Sequence, residues 1–168
     1  MKIEELKAAQ APLKDLYRNT PEAALITLKA KGRLGEGVTC KIETGKALVA
    51  AGLHPATGGN GLSACSGDML LEALVACAGV TLNAVATALG IELRDASLEA
   101  EGDLDFRGTL GVSKEAPVGF QNIRLRMSLD TDAADDQLAT LVRLTERYCV
   151  VYQTLVNSPQ ITVSREKA

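Results

Sequence analysis

Four cysteines, Cys40, Cys65, Cys77 and Cys149, and a single histidine, His54, carry most of the chemistry open to this chain. Cys77 stands in the middle of the most apolar stretch, SGDMLLEALVACAGVTLNAVATALG, and Cys149 lies on the apolar stripe of a later amphipathic segment. If the fold brings these two sulfurs together, thiol redox chemistry follows, since thiols whose Cα atoms come within about 7 Å can close a disulfide. Packing accounts for both residues equally well. Cys77 shares a helical face with Leu70, Leu74, Thr81 and Ala84, and Cys149 sits between Tyr148 and Tyr152, settings in which cysteine is commonly a small hydrophobe.

The two readings differ in what must surround Cys77. An apolar setting raises a thiol pKa, so a reactive Cys77 needs a nearby cation to hold the thiolate. Of Arg18, Arg33, Arg143 and Arg147, Arg33 alone comes from a different element, the turn KGRLGEG, and it is the candidate. The nearest acids upstream are Glu72 and Asp68. A helix turns about 100° per residue, which places Asp68 roughly opposite Cys77. Asp68 therefore joins a Cys77 site only through a break in the helix, or by orienting the arginine from elsewhere.

Other chemistries find less support. Neither Cys40, in an expected strand, nor Cys65, in a Gly-rich loop, has a CxxC partner, and Cys40, His54 and Cys65 lack the short paired spacing of zinc modules, so no metal site is expected. His54, beside Pro55, reads as a solvated or capping residue. GGNG has neither the Lys-Ser/Thr ending of a phosphate loop nor the spacing of a dinucleotide motif, and no cofactor is expected. No serine is framed by GxSxG.

The elements that must position the thiols follow from composition and pattern. At 168 residues the chain is read as one domain, residues 1–168, and its low aromatic content, 3%, implies a core of Ala, Leu and Val. A net charge of −3 with interspersed signs leaves no basic patch for nucleic acid or an anionic membrane. The N-terminus has no signal-peptide pattern, so the protein is expected in the cytoplasm and any disulfide is expected to be transient and catalytic. Residues 1–22 read as a peripheral segment with a helix over 3–18. Strands are expected at Ala24–Ala30, Val38–Glu43 and Ala47–Ala51 as an antiparallel meander, followed by the loop His54–Gly67 and a helix from about Asp68. The uncharged run Ala73–Ile91 is long enough to raise a membrane span, but its Ala, Gly, Thr and Asn83 favour a buried core helix. Strands at Leu93–Leu104 and Asn122–Leu129, a helix over Ala133–Val156 capped by Thr131 or Asp132, and a closing strand ITVS complete an α+β pattern.

The Gly-rich loop, the acid, LLEALVACAGVTLNAVA and a helical cysteine some seventy residues later resemble the OsmC/Ohr family (osmotically inducible protein C and organic hydroperoxide resistance proteins) over residues 24–164. The resemblance implies an OsmC-like fold, with an antiparallel sheet and two central helices in an intertwined homodimer. It also implies a thiol-dependent peroxidase, reducing small-molecule organic hydroperoxides and recharged by an external dithiol reductant. By position Cys77 matches the peroxidatic cysteine and Cys149 the resolving one. Arg33 looks like the arginine that steadies the thiolate, and Asp68 like the acid that holds the arginine. The chain departs from the family pattern in having Asp rather than Glu, in the nine-residue spacing from Asp68 to Cys77, and in Val150 after Cys149 where Pro is common. The alternative is a dimeric binding module holding an apolar or lipid-like ligand at the subunit interface.

Overall fold

The computed structural model describes residues 2–5, 8, 11, 19, 31–34, 39–43, 48–111 and 113–167, with backbone alone for 31–34, 39–43 and 48. Strands β1 (Lys31–Leu34), β2 (Thr39–Glu43) and β3 (Leu48–Gly52) form an antiparallel meander. The short β4 (Ala64–Cys65) adds to β3 in parallel, so this sheet is not purely antiparallel. Lys31–Leu34, expected as a turn, is a strand: Arg33 pairs with Lys41, and cross-strand pairing outweighs the turn preference of Gly32. The expected strand Ala24–Ala30 lies outside the described residues, as does most of the N-terminal segment, in which residues 3–5, 8, 11 and 19 are helical.

Helix α1 (Ser66–Leu89) begins two residues before Asp68, which occupies its first turn, where a helix dipole favours negative charge. Gly90 ends it at φ 70°, a left-handed conformation suited to glycine, and its N–H caps the Ala86 and Thr87 carbonyls. Leu74, Ala78, Leu82 and Ala86, four residues apart, form the buried stripe. Two of the four are alanines, so neighbouring backbones approach closely. By length and composition α1 could cross a membrane, yet this stripe packs on other elements of the fold. Only the stripe is buried, however: Leu70 is 37% and Val80 74% exposed, so the expected core helix has a second, uncovered apolar face.

The sheet beneath α1 consists of β5 (Asp95–Asp103) and β6 (Asn122–Asp130), antiparallel, with Glu99 opposite Arg126 and Glu101 opposite Arg124. Strict alternation divides its faces. Leu98, Ala100, Ile123, Leu125, Met127 and Leu129 pack inward, while Arg124 bridges Glu101 and Asp103, and Arg126 bridges Glu99, on the outer face. Between the strands lies the short α2 (Phe106–Thr109), started by the Asp105 carboxylate accepting from the Arg107 amide. Gly102 is required where it stands, because a Cβ there would come within 2.5 Å of the Phe120 ring.

Two helices replace the single one expected over Ala133–Val156: α3 (Asp135–Tyr148) and α4 (Val150–Val156), with Cys149 extended between them at φ −72°, ψ 108°. No glycine or proline marks the break. The β-branched Val150 and Val151 weaken helical preference there, and the freed Tyr152 amide finds a sulfur acceptor. The N-cap of α3 is Ala134 rather than Thr131 or Asp132, its amide donating to Gln137 Oε1 at 3.0 Å. Thr131 instead ties two loops, donating to the Glu92 carbonyl at 2.6 Å. The expected strand ITVS finds no partner strand among the described residues, and Ile161 and Val163 are exposed.

Leu82 and Leu141 join α1 to α3 in a core cluster with Ala86 and Ile91. Leu141→Ala should lower unfolding stability by about 2–5 kcal/mol in denaturant titration, the cost of a core cavity. Arg126→Ala, on the exposed ion ladder, should leave the midpoint almost unmoved. Equal effects of the two substitutions would contradict this division between core and surface.

Candidate functional site

The break at Cys149 sets the geometry around Cys77. Cys77 lies half-buried midway along α1, and Cys149 is fully buried in the cluster that Leu74 and Ala78 form with α4. The two side chains pack in the same cluster, and each sulfur acts on the acidity of the other. Both are free thiols, as is Cys65. The Tyr152 N–H donates to Cys149 Sγ at 3.5 Å, while the amides of Val150 and Val151 lie near enough to the Cys77 sulfur to favour its thiolate. In an unbroken helix all three donors would be spent on carbonyls of the preceding turn.

These contacts move the two acidities apart. Burial pushes the Cys77 thiol up, but the Val151 amide, the Cys149 thiol, the Val150 amide and the Thr81 hydroxyl together outweigh it, leaving Cys77 below the ordinary thiol value. The single proton of the Thr81 hydroxyl goes to the Cys77 carbonyl at 2.8 Å, and its effect on the sulfur is the smallest of these. Cys149 is pushed up by burial, the Tyr152 amide offsetting this only in part, and the neighbouring Cys77 sulfur and the charge there push it further. The arrangement suits one thiol to act as an anion and the other to remain a protonated neighbour. Such a pair can attack an electrophile and then close on itself.

The other candidate residues lie elsewhere. Arg33 is in β1, and its side chain is outside the described residues, as is that of Cys40 in β2. Helix α1 is continuous from Ser66 to Leu89, so Asp68 is on the opposite side from Cys77 and no helix break brings them together. Asp68 instead lines a cavity of about 380 Å³ with His54, Cys65, Leu71, Phe106 and Phe120. His54 is a capping residue, its Nδ1 accepting from the Ala56 amide at 3.1 Å and its ring stacked on Phe106. Sequence reasoning missed the Val150 and Val151 amides. Only a break unmarked by glycine or proline exposes them.

The sequence model of a family described as OsmC-like protein matches residues 58–164. No curated protein matches the chain. Among solved structures, an OsmC-like protein from Mycoplasma pneumoniae superposes with a TM-score of 0.67 at 15% identity, covering 79% of this chain and 89% of that one. An organic hydroperoxide resistance protein OsmC from Legionella pneumophila gives 0.62 at 21% identity, over 80% and 92%. The organic hydroperoxide resistance protein OhrB of Bacillus subtilis gives 0.54 at 21%, over 80% and 94%. At such identities the likeness is one of fold.

Site-resolved iodoacetamide labelling against pH reads the acidity split directly. The Cys77 midpoint should fall below the ordinary thiol value of about 8.5 and the Cys149 midpoint above it. Cys77 then keeps more thiolate at neutral pH, and its labelling rate declines only as pH falls through the lowered value. A Cys77 midpoint at or above the ordinary value would overturn this assignment.

Proposed function

The chain belongs to the OsmC-like protein family, and we propose that within it this protein is a thiol-dependent peroxidase reducing organic hydroperoxides through Cys77 and Cys149. One observation carries the reading: two neighbouring thiols in one buried cluster, one on α1 and one at the α3–α4 break, the more exposed one acidified and the buried one held protonated. The Cys77 thiolate attacks the distal oxygen of the hydroperoxide and the O–O bond breaks. The departing alkoxide takes a proton from solvent and leaves as the alcohol, with Cys77 as sulfenic acid. Cys149 sulfur then displaces the hydroxyl, its proton leaving with it as water, and the disulfide forms. An external dithiol reduces that disulfide and is itself oxidised, so one hydroperoxide and one dithiol give alcohol, water and a disulfide. No cofactor takes part.

Arg33 and Asp68 enter on the family resemblance. Arg33 would steady the thiolate, and Asp68, turned away from Cys77 of its own chain, would act by holding the arginine. A homodimer in the cytoplasm belongs to the same reading, and the dimer is supported by apolar side chains left open beside the thiols: Val80, Tyr148 and Val150 are all more than half exposed. A non-catalytic module binding an apolar ligand would use that surface too, but gives no account of the opposed acidities.

With cumene hydroperoxide and excess dithiothreitol, the protein should show sustained turnover, reduced to background in Cys77→Ser. Cys149→Ser should retain the first oxidation and accumulate a sulfenic acid on Cys77 that dimedone traps. Absence of turnover, together with no Cys77–Cys149 disulfide by mass spectrometry under mild peroxide, would refute the proposal.

A further inference from the structure

The break at Cys149 takes the amide donors from three carbonyls, and that of Glu146 lies half-buried. In a continuous helix the Val150 N–H would bond the Glu146 carbonyl, four residues back. Here α3 ends with the Cys149 amide on the Thr145 carbonyl at 2.9 Å, and α4 begins with the Gln153 amide on the Cys149 carbonyl at 2.9 Å. The Glu146 carbonyl is not left empty. The side-chain amide of Gln153, seven residues on, donates to it from Nε2 at 2.8 Å. Gln153 is half-buried, and its orientation is fixed from the far side, where Asn157 Nδ2 donates to Gln153 Oε1 at 3.1 Å. A chain of side-chain amides thus runs from the end of α4 back across the break to the last turn of α3.

We propose that Gln153 is a positioning residue for Cys77: its side-chain amide replaces the Val150 N–H on the Glu146 carbonyl and holds the start of α4 turned toward the thiol. Were that carbonyl unpaired in a half-buried place, the cheapest way to satisfy it would be to rewind the helix and return the Val150 N–H to it. Rewinding withdraws the Val150 amide from Cys77 and carries Cys149 around the helix. Gln153 satisfies the one carbonyl that the Val150 amide gives up. The proposal rests on Cys77 as the attacking thiol. The groups acting on that thiol are the Val151 and Val150 amides, the Cys149 thiol and the Thr81 hydroxyl, of which Cys149 is the titratable one and is itself pushed up.

The test uses the full chain. Gln153→Met keeps the length of the side chain and removes the donor. Site-resolved iodoacetamide labelling should show the Cys77 midpoint rising by about one pH unit, an approximately tenfold slower reaction at pH 7. Thr154→Val removes a different side-chain bond of α4, to the Val150 carbonyl, and serves as the control for general loosening. It should leave the Cys77 midpoint in place even where it lowers the melting temperature. A Gln153→Met protein that folds with an unchanged midpoint, or a Thr154→Val protein with the same shift, overturns the proposal. If Gln153→Met does not fold, Asn157→Ala carries the test, since it only frees the Gln153 amide: a smaller rise supports the assignment and no rise refutes it. Peroxide turnover of the unsubstituted chain, measured in parallel, separates the two ideas. Absent turnover refutes the peroxidase reading and leaves the labelling result to decide the role of Gln153.

Discussion

A backbone hydrogen-bond ladder interrupted at one residue governs the chemistry of this molecule. Each amide N–H in a helix is normally consumed by the carbonyl four residues before it, and so is unavailable to any side chain. At Cys149 the ladder stops and restarts, releasing amides of Val150, Val151 and Tyr152: the last donates to Cys149 Sγ, and the first two favour the Cys77 thiolate. A thiolate in an apolar setting is costly unless donors surround it. Among the described residues it is largely backbone that supplies them. The position of α1 against α4, and the buried cluster of Leu74, Ala78 and Cys149, are the packing that keeps those donors in range.

That packing depends on small side chains. Ala78 is completely buried on α1, one residue from Cys77, and a larger group there would hold α4 off. The β5–β6 sheet closes the other side of the same stripe with Leu98, Ala100, Ile123 and Leu125. Its outer ion ladder, solvated throughout, contributes little to stability and much to keeping that face in water. The scaffold is shared with OsmC-like proteins at identities where fold survives but particular side chains need not. The features that bear on reactivity therefore have to be read from this chain itself.

Much of the scaffold was legible in the sequence, because its elements announce themselves by period. The alternation at Ile123, Leu125, Met127 and Leu129 located β6 to within a residue, and the loop before Asp68 with the uncharged run Ala73–Ile91 located α1, whose buried stripe runs through Ala78 and Leu82 rather than Leu70 and Thr81. The pairing of Cys77 with Cys149 was open as a possibility, but packing explained each cysteine alone, and proximity between elements is not written in either one. The Cys149 break escaped notice since nothing in YCVVYQ signals it. The apolar stripe continues in register through both helices, and the residues that stabilise the interruption, Gln153 and the thiols, are remote from any turn motif. Arg33 was placed in a turn because Gly32 and Gly35 suggested one, whereas pairing with β2 decided otherwise. For Asp68, helical geometry alone foretold its separation from Cys77.

A seven-residue helix such as α4 is too short to hold its shape in water unaided, since nucleation costs more than so few propagating bonds return. It owes its order to Val151, Tyr152 and Leu155 seated on the α1 cluster. Acidity at Cys77 is consequently a tertiary property with its own local-unfolding free energy. Whenever α4 lifts away, the sulfur loses its donors and its neighbour in the same motion, and the thiol becomes an ordinary one. Nucleophilicity is thus conditional on a docked surface, and chain segments caught before docking, during synthesis or after thermal opening, carry a cysteine that is chemically quiet.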